Sequence, residues 1–140
     1  MKRRQFIKNS GWLAGVILLA DSAGGWNLNG PNKKINIGVI GCGDRGKGIM
    51  SVMKDLKDYF NIVAICDVLP FRIEETKKMF PTENFTIYSD YRKLLDDKNV
   101  DAVVSATPLY LHYKISSDVL KAGKHIYHEK TMAFNIEESL

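Results

Sequence analysis

Three groups of residues in this 140-residue chain have types and spacings that chemistry can use. The first is Gly41-x-Gly43-x-x-Gly46, within "INIGVIGCGDRGKG" at residues 35–48. Glycine loses more backbone entropy on folding than any other residue and adds no packing surface, so a cluster of them marks a place where side chains are in the way. After an apolar run and at the opening of a helical stretch, this spacing is the fingerprint of a dinucleotide-holding loop. Gly41 permits the tight turn, Gly43 lets the backbone approach a pyrophosphate, and Gly46 lets helix and strand pack closely. The helix that follows begins at about Asp44 and Arg45, and its N-terminus offers free N–H groups and partial positive charge to phosphates. The plainer alternative is a strand-to-helix turn with no ligand.

The second group is Asp67, at the end of the next apolar run and 21 residues beyond Gly46. An acid there accepts from the hydroxyls of an adenosine ribose and repels a 2′-phosphate, which favours NAD over NADP. Arg72 lies near enough to offset that repulsion, and Asp67 is also placed to cap a helix starting at Pro70. The third group closes two later apolar runs. Thr107, Pro108 and His112 lie in "ATPLYLH" (106–112), and Glu129 and Lys130 in "AGKHIYHEKTMA" (122–133). In an open α/β sheet ligands sit beyond the carboxyl ends of the strands. A lysine beside a nicotinamide ring serves as proton donor or base to a sugar hydroxyl. Its alternative is a surface lysine paired with Glu129.

These residues need a frame, and the sequence pattern supplies one. Strand-like runs at 35–40, 62–66, 86–88, 102–106 and 125–127 alternate with helical stretches at about 45–56, 70–79, 91–96 and 110–122. That alternation predicts parallel strands with crossover helices, an α/β doubly wound sheet. The first, second and fourth runs are continuously apolar, as strands covered on both faces are. Pro70 fits a first helical turn, Ser89-Asp90 an N-cap, and Gly123 a C-cap. Cys42 and Cys66 fall at the ends of neighbouring strands, where bridging strains disulfide geometry, so free buried thiols are expected. His125 and His128 flank the fifth run and read as strand positions. No cluster has metal-ligand spacing.

In order, "GVIGCGDRG", the acid after the second strand, "TPLYLH" and "AGKHIYHEK" resemble the N-terminal Rossmann domain of the Gfo/Idh/MocA oxidoreductases, the glucose–fructose oxidoreductase and inositol dehydrogenase superfamily. The resemblance covers about residues 33–140. It implies an NAD(P)-binding fold and hydride transfer on a sugar or cyclitol hydroxyl. Gly41, Gly43, Asp44, Arg45, Gly46, Asp67, Thr107, Pro108, His112 and Glu129 would then bind cofactor, and Lys130 would be the catalytic residue. It also implies a carbohydrate-type substrate, frequent homo-oligomers, and a second α+β domain before which this chain stops. Thr131 stands where the family has a proline that commonly follows a cis peptide bond, so Lys130 is expected to sit differently.

The formal charge of +4 is concentrated at the N-terminus, where Lys2, Arg3, Arg4 and Lys8 face only Asp21 within the first thirty residues. It is therefore no sign of nucleic-acid binding, and no basic stripe is interleaved with aromatics. A basic start, an apolar stretch from Trp12 to Ala20 and small residues after it read as an export signal, too short to span a bilayer. "RRQFIK" resembles the twin-arginine motif and points to the periplasm or cell envelope; an ordinary secretory signal is the alternative. Asp21 would occupy position −3 for cleavage after Ala23, so an uncleaved leader acting as an anchor is also possible. Residues 1–32 are thus expected to be signal and linker, and 33–140 a Rossmann domain incomplete at its C-terminal end. Two other functions stay open: an NAD-dependent glycoside hydrolase of this fold, which recycles its cofactor, and a non-catalytic nucleotide-binding fragment.

Overall fold

In the computed structural model the chain divides into residues 1–33 and 34–140. The structure describes residues 34–133, 135 and 137. The expected leader and linker lie outside these residues.

Five strands form one sheet: β1 (Ile35–Ile40), β2 (Phe60–Cys66), β3 (Thr86–Tyr88), β4 (Ala102–Ser105) and β5 (His125–His128). Four helices connect them: α1 (Asp44–Asp55), α2 (Pro70–Met79), α3 (Tyr91–Asp96) and α4 (His112–Lys121). All pairings are parallel, in the order β3-β2-β1-β4-β5. The chain winds outward from β1 to β3, then returns to β4 on the other side. The order therefore reverses between β1 and β4, and a crevice opens at their carboxyl ends.

The apolar runs of β1, β2 and β4 are explained by helices on both faces. On one face Ile37, Val39, Ile62, Ile65 and Val104 pack with Met50 of α1 and Ile73 of α2. On the other Ile40, Ala64, Cys66 and Val103 pack with Leu94 and Leu95 of α3 and Ile115 and Val119 of α4. Gly38 allows the second layer to close, because a Cβ there would press on Leu94 and Val100. At the sheet edge β5 is covered on one side only. Ile126 faces the second core, while Tyr127 on the opposite side is 55% exposed.

The local signals act as expected at three places. Pro70 opens α2; the Asp90 carboxylate accepts from the Arg92 N–H and caps α3; and Gly123 turns out of α4 at φ +71°. Two boundaries move by two residues, the others by one at most. β2 begins at Phe60, because pairing Ile35 with Phe60 and donating the Ile35 N–H to Tyr59 carry the ladder back past Asn61. α4 begins at His112 rather than Tyr110. Pro108 is extended (φ −58°, ψ 144°), and Leu109–Leu111 form a tighter 3-10 turn closed by Leu111 N–H to Pro108 O.

Candidate dinucleotide site

Two of the three motif glycines are demanded by crowding. Gly41 has φ +96°, and a Cβ on it would run into the Ala106 carbonyl oxygen beyond β4. A Cβ on Gly46 would run into the carbonyl oxygen of Gly41. The loop is pinned by Gly41 N–H to Cys66 O (2.8 Å) and Cys42 N–H to Asp67 Oδ2 (2.8 Å). Gly43 is different. The nearest protein atom to a Cβ there is Arg72 Nη1, at an ordinary 3.6 Å. Packing within the protein does not require glycine at 43, so the bare backbone leaves space for something else. Gly43 is also the N-cap of the 12-residue α1 and supplies no side-chain cap. First-turn N–H groups without a capping side chain, beside an open backbone, are what a diphosphate needs. The Asp44 side chain is fully exposed and lies 3.4 Å from Lys47 Nζ. Gly48 has open space around it, and nothing in the structure explains the fourth glycine.

Asp67 is 8% exposed. A buried carboxylate is costly unless hydrogen-bonded, and here two backbone donors meet it: Cys42 N–H on Oδ2 and Leu69 N–H on Oδ1 (2.9 Å). Leu69, not Asp67, is the N-cap of α2. Asp67 therefore clasps the glycine loop and its own loop together. A carboxylate has about four lone-pair sites, which leaves capacity for a ribose hydroxyl. The two cysteines near this clasp are free and buried. Burial, and secondarily Asp67, pushes the Cys42 thiol up to about 11, and burial, with Cys42 next, pushes Cys66 up to about 12. Both are held as unreactive thiols.

At the far end of the crevice Arg45 Nη2 donates to Glu129 Oε1 at 2.7 Å, joining the start of α1 to the end of β5. That hydrogen bond, more than the bare charge, holds the Glu129 carboxyl below its ordinary value. Arg45, Tyr127, His128, Glu129 and Lys130 line an open cavity of about 640 Å³. Lys130 lies on this cavity and is exposed. The Lys130–Thr131 peptide bond is cis. Thr107 is half-buried, with its Oγ1 3.4 Å from Ser105 Oγ.

His112 does not line the crevice as expected. It is 2% exposed, with Nδ1 2.6 Å from Thr131 O and Nε2 2.8 Å from Thr107 O. Both ring nitrogens face backbone carbonyl oxygens, so the ring lies between the segment after β4 and the segment after β5 and has no nitrogen for a ligand. It stands at the first residue of α4 and is among that helix's buried residues. Its ring meets that of His128 edge-on, with centroids 4.2 Å apart. His128 is thus more than a strand position: its Nε2 is buried and has no partner among the described residues. Burial, and secondarily His112, lowers its proton affinity. Among the described residues no three His, Cys, Asp or Glu side chains are grouped to hold a metal, and no helix is long and apolar enough to cross a membrane.

A parallel sheet with this crevice, loop and acid defines an NAD-binding Rossmann domain. The chain belongs to the Gfo/Idh/MocA oxidoreductase family with the NAD-binding Rossmann fold, whose pattern matches residues 35–139. It is 30% identical over 159 aligned positions to a glycosyl hydrolase family 109 protein of Shewanella sp. strain ANA-3, covering 97% of this chain and 35% of that protein. It is 30% identical to an NADP(+)-named scyllo-inositol 2-dehydrogenase of Bacillus subtilis, over 74% of this chain and 28% of that one. The WlbA dehydrogenase of Bordetella pertussis, solved with NADH and UDP-GlcNAcA, superposes with a TM-score of 0.69 at 31% identity, over 76% of this chain and 31% of that one. The chain thus spans about a third of the length of these relatives.

Two predictions follow from this geometry. Gly43→Val places a side chain over the open helix N-terminus, so calorimetry should show NAD binding lost while circular dichroism is retained; unchanged affinity sinks the assignment. The second concerns pH. His128 binds a proton less readily when folded, so the unfolded chain takes up protons first as pH falls below the ordinary histidine value of about 6.5. Stability should fall between pH 7 and 5.5, and His128→Asn should flatten that slope in urea titrations. An equal slope in the variant would show that His128 is not the group responsible.

Proposed function

We propose that this chain is the NAD-binding part of an exported oxidoreductase acting on a sugar or cyclitol hydroxyl. The observation that carries the reading is one cavity shared by Arg45 at the glycine-loop helix and by Glu129 and Lys130 at the end of β5. It sets a group able to move a proton beside the open end of the dinucleotide site. The glycine loop and Gly43 would hold the diphosphate, Asp67 the adenosine ribose, and Glu129 the nicotinamide ribose. A nicotinamide bound there would supply the hydride acceptor for the carbon that bears the hydroxyl. Lys130 would receive the hydroxyl proton as the carbonyl forms. Glu129, held ionised by Arg45, accepts hydrogen bonds and orients that end of the cleft.

A second reading keeps this first step and adds elimination, water addition and return of the hydride, so that a glycosidic bond is cleaved with no net redox change. It is favoured by the alignment with the Shewanella glycosyl hydrolase, which extends over 97% of this chain and therefore into its first 33 residues. Recycled cofactor also suits export, for which "RRQFIK" is the support. A domain loaded with a dinucleotide has to travel folded.

The full-length protein, incubated with NAD and a panel of sugars, cyclitols and p-nitrophenyl glycosides, decides between the readings. NADH formation supports the dehydrogenase; p-nitrophenol release without NADH supports the hydrolase. Lys130→Met should reduce either by roughly 10²–10⁴-fold, the usual worth of general acid–base catalysis. Neither product would leave a non-catalytic nucleotide binder. For export, lysines in place of Arg3 and Arg4 should hold a reporter fusion inside the cell, and continued export would point to the general secretory route.

A further inference from the structure

Two histidines meet beside the segment that carries Lys130. His112 is buried, and its ring lies between two backbone oxygens: Nδ1 is 2.6 Å from Thr131 O, and Nε2 is 2.8 Å from Thr107 O. A carbonyl oxygen only accepts, so each contact needs an N–H from the ring. A neutral imidazole has one N–H and one bare nitrogen. It would satisfy one carbonyl and set its own lone pair against the other. Only the imidazolium form donates at both ends, and both separations are as short as charge-assisted hydrogen bonds.

The neighbouring groups agree with that assignment. Ser116 Oγ gives its single hydrogen to the His112 carbonyl oxygen at 2.7 Å, so at His128 Nδ1, 3.4 Å away, it only accepts. His128 is then the neutral tautomer with its hydrogen on Nδ1, and its buried Nε2 is bare. Two rings with centroids 4.2 Å apart do not both take a proton readily. His128 is the one whose proton affinity is lowered, by burial first and by His112 second. The first turn of a helix is the wrong end for a cation, and α4 has no acid there. The offset comes from the two carbonyl oxygens and from Glu129 beyond β5. The Glu129 carboxyl is held down first by its hydrogen bond from Arg45 of α1, and also by Lys130 and His112.

Thr107 follows β4, Thr131 follows Lys130, and β4 and β5 are neighbours in the sheet. We propose that His112 is a positioning residue for Lys130: as a buried imidazolium it donates to Thr131 O on one side and to Thr107 O on the other, and so fixes the backbone that carries the Lys130 side chain against the end of β4. A neutral ring would let one side go. His112 acts through Lys130 and keeps no nitrogen for cofactor or substrate. The proposal rests on the reading of Lys130 as the proton-transfer residue.

Nitrogen-15 NMR of the full-length protein, labelled in its histidine rings and assigned through ring-to-backbone correlations, reads the first half directly. At about pH 7.5, where an ordinary histidine is neutral, both His112 nitrogens should resonate as N–H nitrogens. His128 should show one N–H and one bare nitrogen. A bare nitrogen on His112 would overturn the proposal. Two amide variants separate the ends of the bracket. His112→Asn places its amide near Nδ1 and keeps a donor for Thr131 O, whereas His112→Gln places it near Nε2 and keeps one for Thr107 O. With NAD and the same panel of sugars, cyclitols and p-nitrophenyl glycosides, His112→Gln should lower kcat by about 10²-fold, the cost of a misplaced catalytic group. His112→Asn should lower it clearly less, and NAD affinity should stay within about threefold in both. Where the panel gives no turnover, hydrogen exchange of the peptide 129–133 takes its place, and should be faster in His112→Gln than in His112→Asn. Equal effects of the two variants, with circular dichroism retained, would reduce His112 to packing and overturn the proposal. Should neither variant fold, the ring spectrum decides by itself. If Lys130→Met leaves turnover intact, the reading of Lys130 fails; if it abolishes turnover and His112→Gln does not lower it, the positioning role fails alone.

Discussion

Three backbones meet at the carboxyl ends of β1, β2 and β4, and the space between them admits no side chain. Gly41 sits against the Ala106 carbonyl, and Gly46 against that of Gly41. The contact is held by Gly41 N–H to Cys66 O and Ala106 N–H to Ile40 O, both at 2.8 Å. Because the loop is bound to strands on both sides, the first turn of α1 is aimed at the point where the strand order reverses. Loosening it would misdirect the helix N-terminus, the only part of α1 that offers uncapped N–H groups. The rest of the site depends on this crowding.

Polar groups around the crevice fall into two kinds. Inside, their hydrogen bonds are spent on the fold. Asp67 binds two backbone N–H groups, and His112 meets two backbone carbonyls, one beyond β4 and one beyond β5. Each links segments that are distant in sequence, and each would be expensive to leave unpaired in a buried place. Outside, groups keep capacity. The N-terminus of α1 is uncapped, and Lys130 is exposed at the end of β5. The Arg45–Glu129 pair stands between the two kinds: a 2.7 Å bond, with Glu129 largely shielded and Arg45 mostly in solvent. Such a pair adds little to stability, but it keeps Glu129 ionised and sets its direction across the cavity.

The sequence by itself determined the architecture. Continuous apolar runs require strands covered on both faces, and Pro70, Asp90 and Gly123 punctuate the helices through local backbone rules that need no distant partner. Gly41-x-Gly43-x-x-Gly46 was legible for the same reason, since its meaning depends on an adjacent strand and helix. Its fourth companion, Gly48, has no such meaning here. Asp67 was legible through its distance from the loop, although its clasp on Cys42 and Leu69 was not. What only the tertiary structure decided concerns pairs separated by many residues. His112 reads in sequence as a crevice residue, but where α4 begins, and thus which way its ring turns, depends on the extended Pro108 and on the carbonyl of Thr131, nineteen residues on. Arg45 and Glu129 each read in sequence as cofactor-binding residues, yet their ion pair spans 84 positions. Arg72 was only a neighbour of Asp67 until the fold laid its guanidinium over Gly43. Local steric rules act within a few residues, so they can be read from the chain; the direction of a long side chain is set by whatever the fold brings near it.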